Sequence, residues 1–157
     1  MEFKDLNIIK KSDIKVKSGD IFALNPKENI YCFGKVIDTN VMSRNSFMNG
    51  MILIYIYDYI SNTMDCPNMI EKKEIIHVEV VNYKLWEKGF AANVGYSEVT
   101  ADDLNKDIAF WNVLKKCYVN INGEKIDYVP KYSAIYGLGS YGSIGKFLQS
   151  FLSGKII

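Results

Sequence analysis

Few residues in this 157-residue chain can do chemistry. His77 is the only histidine, and Glu79 stands two positions after it. Alternate residues of a strand share a face, so the pair could work as an acid/base couple. The structural alternative is a hydrogen-bonded sheet histidine. One histidine cannot build a multi-histidine metal site, and Cys32, Cys66 and Cys117 lack zinc-ligand spacing. A Cys–His nucleophile would need Cys66 or another thiol beside His77 in space, and nothing in the spacing supports that.

Gly137-Leu138-Gly139-Ser140-Tyr141-Gly142 has GxGxxG spacing and leads into a helical pattern. A dinucleotide site also needs a βαβ unit and an acid about twenty positions on. None of the residues after Gly142 is acidic. The motif therefore reads as a glycine-rich loop that lets the final helix pack closely, with anion binding at the helix N-terminus as the alternative. GxSxG, HExxH, P-loop and EF-hand patterns are missing. No catalytic residue, cofactor or metal is expected.

Two further groups have both a structural and a binding reading. Glu98, Asp102, Asp103 and Asp107 cluster around Lys106. They form either a capped helix with a solvated face or an acidic patch for a basic partner. Tyr55, Tyr57 and Tyr59 share one strand face. They are either buried under the C-terminal helix or exposed as anchors for a protein partner. These seven residues are the candidate partner-binding set.

The elements that must position these groups are mostly strands. Ser18-Gly19-Asp20 is a turn with a turn-forming carboxylate. It leads into a strand over 21–24, a loop over 25–29 and a second strand over 30–37. Gly34 marks a bulge or a close backbone approach. Residues 38–49 are polar and irregular, and Asn49-Gly50 is a turn. Residues 51–59 alternate cleanly, with Ile52, Ile54 and Ile56 on the core face. Residues 74–83 form another strand, with Ile76, Val78 and Val80 inward. Residues 85–99 hold one or two more, with Trp86 and Gly89 near a bend. Thr100 has the pattern of an N-cap with an acid three positions on.

Val113–Val129 predicts a hairpin about Asn122-Gly123. It pairs Ile121 with Glu124, Val119 with Ile126 and Cys117 with Tyr128. Ile144, Phe147, Leu148 and Phe151 recur at helical intervals over 140–152. Residues 1–13 form a short strand or a loose arm. The expected fold is α+β, mainly β: a bent antiparallel sheet or small partly open barrel with a C-terminal helix. One domain is expected over 1–157.

Net charge is +1 and Arg44 is the only arginine. The near-zero charge argues against nucleic-acid binding, and the scarcity of arginine either argues mildly against a phosphate grip or reflects genome base composition. The odd cysteine count without CxxC fits reduced thiols, with Cys32 and Cys117 buried and Cys66 exposed. Glu2, Lys4 and Asp5 precede no apolar h-region, so no signal peptide is expected. The apolar run from Met51 to Tyr57 is too short for a bilayer. A cytoplasmic protein is expected.

Val16-Lys17-Ser18-Gly19-Asp20-Ile21-Phe22-Ala23-Leu24 resembles the start of the immunity protein 26 family of bacterial polymorphic toxin systems. Tyr31-Cys32-Phe33-Gly34-Lys35-Val36-Ile37 is similar to that family's G-x-V strand. The likeness resumes at 52–59, at Leu85-Trp86-Glu87-Lys88-Gly89-Phe90, at Val94-Gly95-Tyr96 and at Phe110. It covers about residues 16–120, and the hairpin-plus-helix segment over 113–157 extends past it. The resemblance implies a non-enzymatic protein that binds a cognate toxin domain and neutralises it inside the producing cell. It brings no catalytic residues. The alternatives from the residues alone are a small-barrel ligand- or nucleic-acid-binding regulatory module and a small enzyme using His77.

Overall fold

Gly19, at φ 98°, turns the chain into the first strand of the computed structural model, which describes residues 5–155. Asp20 fixes that turn. Its carboxylate accepts from Lys17 N at 2.9 Å and Asn93 Nδ2 at 3.2 Å, and Asn93 in turn accepts from Trp86 Nε1. The turn-forming role expected of Asp20 holds.

Strands β1 (Asp20–Lys27), β2 (Ile30–Asp38), β3 (Ile52–Ser61) and β4 (Ile75–Val81) follow. They precede a short helix α1 (Lys84–Glu87) and β5 (Ala91–Tyr96). These strands form one antiparallel sheet in the order β4-β3-β2-β1-β5. A single helical turn α2 (Ala101–Leu104) leads to β6 (Ile108–Asn112), β7 (Cys117–Val119) and β8 (Tyr132–Ile135). These make a second sheet, β7-β6-β8, in which β6 and β8 run parallel. Helix α3 (Tyr141–Lys155) comes after them.

The larger sheet is covered on both faces, which is why its strands read as near-continuous apolar runs. Phe22, Leu24, Val36, Ile52, Ile54 and Ile56 pack with Leu85, Trp86 and the α3 residues Ile144 and Leu148. Ile21, Ala23, Phe33, Leu53, Tyr55 and Tyr57 pack on the opposite side, against Phe110 and Val119 of the second sheet. The layers are thus helix, five-stranded sheet, three-stranded sheet. The architecture is α+β and mainly β, as expected. The large sheet stays open, with β4 and β5 as its edges.

Two local expectations need correction. The loop expected over 25–29 is a two-residue turn at Glu28-Asn29, with Asn29 at φ 60°. Asn25 keeps the strand going past Pro26 by donating to Lys27 O at 2.7 Å and Ile30 O at 2.8 Å. Residues 85–99 hold one strand, within the one or two expected, and the bend falls where it was read, with Trp86 in α1 and Gly89 at φ 88°.

The hairpin register is also shifted by one. Asn120 accepts from Gly123 N and donates to Glu124 O, and Val119 bridges Lys125. Gly123 sits at φ 101°. This is a three-residue loop ending in a positive-φ glycine, the next commonest hairpin solution. It leaves only an isolated bridge, and β7 pairs instead with β6 through the turn over 113–116.

A β-bulge in β4 explains a third difference. Ile56 pairs with His77, but Tyr57 pairs with Ile75. The extra residue puts Ile75 on the same buried face as Val78 and Val80, while Ile76 packs with the opposite core. Bulges re-aim side chains, and this one adjoins His77.

Candidate functional site

Tyr55 and Tyr57 are buried, at 2% and 1% exposure. They lie beneath the second sheet rather than the C-terminal helix, which covers the isoleucine face. Neither can anchor a partner. Tyr59 is half-buried, edge-on to Phe33 and under Lys73. Asp103 is also unavailable, at 1% exposure. It completes a capping box with Thr100 and pairs with the fully buried Lys35, Nζ to Oδ2 at 2.8 Å. Lys35 also donates to Glu98 O, and Tyr55 Oη donates to Asp103 O at 2.8 Å.

Among the candidate acids, Glu98, Asp102 and Asp107 stay exposed. Asp102 pairs with Lys106 at 3.3 Å, and Asp107 accepts from Lys131 N at 2.9 Å. Two of these three acids therefore already have partners within the chain.

The buried tyrosines behave differently from each other. Tyr57 Oη makes no hydrogen bond with a described residue. Tyr57→Phe removes an unsatisfied hydroxyl, so stability holds or rises by up to about 1 kcal/mol, whereas Tyr55→Phe costs about 1 kcal/mol. Burial raises both phenols above the usual tyrosine range, and the Asp103 carboxylate adds to this. The unfolded chain starts to lose these protons near pH 10, while the folded protein keeps them. Stability therefore falls as pH rises above about 10, by up to about 1.4 kcal/mol per pH unit for each tyrosine. Urea melts of the wild type and Tyr57→Phe across pH 9–11 check both the offset and the slope.

The thiols offer no nucleophile beside His77. Burial pushes Cys32 up to about 12. Cys66 is exposed, with its sulfur against Gly95 on β5, the edge strand farthest from β4. Among the described residues, no three His, Cys, Asp or Glu side chains converge to hold a metal, and no helix is long and apolar enough to cross a membrane.

The groups read separately in the sequence meet at the β4 edge. A cleft of about 550 Å³ is walled by His77 and Glu79 of β4, Trp111 of β6, Ser133–Ile135 of β8 and Gly137–Ser140 before α3. The His77 ring stacks on Phe147 of α3, with centroids 4.2 Å apart. Its Nε2 stands 3.4 Å from Glu79 Oε1, long for a hydrogen bond. His77 Nε2 and Glu79 Oε2 are both buried, and neither bonds to a described residue.

The glycine-rich loop is what leaves room for this carboxyl. Gly139 N donates to Val80 O at 2.7 Å, and a Cβ at 139 would stand 2.5 Å from Glu79 Cδ. Ser140 and Ser143 cap each other at the start of α3, each hydroxyl accepting from the other's N–H. The loop therefore caps the helix and covers an acid, and does not form a nucleotide fingerprint. Sequence reasoning missed Lys35 altogether. It also missed the convergence of His77 and Glu79 with the loop, which depends on β8 lying beside β4.

The family described as Immunity protein 26 matches this chain over residues 17–118. That segment runs from the turn before β1 into β7, and β8, the glycine-rich loop and α3 lie beyond it. Neither the curated proteins nor the solved structures return a match.

Proposed function

Because the chain belongs to the immunity protein 26 family, we propose that it neutralises a cognate bacterial toxin domain by stoichiometric binding, without turnover. The family match is the observation that carries this reading. The mechanism is occlusion by shape and charge complementarity across an interface of ordinary size. The protein acts in the cytoplasm of the producing cell.

The test uses the variable C-terminal domain of a toxin encoded beside this gene. Toxin activity titrated with this chain ends at a one-to-one ratio, and co-expression rescues growth. Absence of rescue overturns the reading. So does inactivation of many toxin molecules by one chain, which would favour the second reading, an enzyme using the His77–Glu79 pair in its cleft.

Glu98, Asp102 and Asp107 are the exposed acids offered to such a partner. Exposed charges act mainly on encounter rate and are screened by salt. The double variant Glu98→Lys/Asp102→Lys slows toxin association about tenfold at low ionic strength, and the difference shrinks as salt is added. Stopped-flow binding at two salt concentrations measures it. An unchanged rate removes this face from the interface.

A further inference from the structure

We propose that the cleft at Glu79 receives an arginine side chain of the toxin domain, an inference that rests on the immunity reading above. Glu79 is only 9% exposed, and its Oε2 is buried without a donor among the described residues. A buried carboxylate oxygen left unsatisfied is costly. A cationic donor removes that cost with a charge-assisted bond, and the site calls for positive charge rather than a neutral group.

The second unpartnered atom sharpens the choice of donor. His77 Nε2 lies 3.4 Å from the other Glu79 oxygen and is itself buried without a hydrogen bond to a described residue. In the tautomer that carries its proton on Nδ1, the imidazole would accept through Nε2 beside the carboxylate. Two acceptors side by side suit a planar guanidinium, whose donors spread in a fixed fork, better than a compact ammonium. Trp111 and Leu138 provide apolar wall for the methylene stem.

The carboxylate is covered by glycine backbone. Gly139 lies against Glu79, whereas a Cβ at Gly137 would meet no heavy atom within 4 Å. To reach Oε2, an arginine must displace Gly139 and break its N–H bond to Val80 O. The cleft therefore joins β4 and β6 of the family segment to a loop outside it. That is a suitable place to distinguish one toxin from another.

Two measurements test this. The first titrates N-acetylargininamide into the full chain and follows backbone amide resonances. The expected result is movement of His77, Gly137 and Gly139, absent with the neutral isostere N-acetylcitrullinamide and lost in Glu79→Gln. Equal response to the two amides, or none at these positions, overturns a guanidinium site. The second compares affinity for the neighbouring toxin domain. Glu79→Gln, which keeps the side chain's shape, and Glu79→Ala both raise Kd at least tenfold while circular dichroism stays native. A smaller change in folded variants overturns the cleft as a toxin contact. A toxin domain that fails to bind the wild type defeats the immunity reading instead, and the amide titration then decides the guanidinium site by itself.

Discussion

Lys35→Met lowers the unfolding free energy by about 3–5 kcal/mol, the range for removing one partner of a buried ion pair. Lys35 is fully buried in β2, and its ammonium holds two acceptors from the far side of the fold, Asp103 Oδ2 at 2.8 Å and Glu98 O at 3.1 Å. Methionine fills the space but leaves the Asp103 charge without compensation. Thr100 N and the helical turn still hold that carboxylate in place. Turn α2 then loses its fixing to the sheet, and the Tyr55 bond to Asp103 O weakens with it. Urea denaturation followed by tryptophan fluorescence gives the value. Adding Asp103→Ala removes the stranded charge, so the double variant loses less than the sum of the two single losses. A loss under 1 kcal/mol for Lys35→Met would contradict this account.

Gly34→Ala lowers stability by about 3 kcal/mol, at the upper end for overpacking a tight core. The added methyl meets the Phe22 ring and stands 2.7 Å from Tyr55 O. Neither obstacle gives way easily. Phe22 is fully buried and edge-on to Trp86, with ring centroids 5.3 Å apart, and the carbonyl belongs to the paired strand. Glycine-to-alanine replacement usually gains about 0.4–1 kcal/mol through the unfolded chain, too little to offset the clash. The melting temperature falls by about 6–12 °C on the usual scale for a chain of this size, readable by differential scanning calorimetry.

Local chemistry written in consecutive residues was legible. Thr100 and Asp103 form the expected capping box, and Gly34 makes the expected close approach. Of the apolar α3 residues read at helical spacing, Ile144 and Leu148 are buried and Phe147 and Phe151 half-buried. The strand at 52–61 alternates as read, with both sides covered. What failed depended on partners remote in the chain. A lysine between Gly34 and Val36 carries no sign of burial, because its counter-charge lies sixty-eight positions away. Asn122-Gly123 is a strong turn signal, but one residue of loop length decides the register, and Tyr136, which packs over Gly123, comes from the segment just after β8. His77–Glu79 and the glycine run were each set aside for sound local reasons. Only the parallel β6–β8 pairing, which brings β8 beside β4, gathers them into one cleft.

Helix α3 also sets a timetable for synthesis. Every strand of both sheets precedes residue 141 in the chain. As the ribosome releases the polypeptide, the sheet can be complete while Phe22, Leu24 and Ile54 still await Ile144 and Leu148. At about 5–20 residues per second, α3 is completed on the order of one to four seconds after β8, and until then α1 covers that face without it. Gln149 then donates to both Asp5 O and Pro26 O, fastening α3 to β1 and to the segment before it. A nascent chain stalled between β8 and α3 would present a broad apolar surface. A translation pause in that interval would offer this face to chaperones.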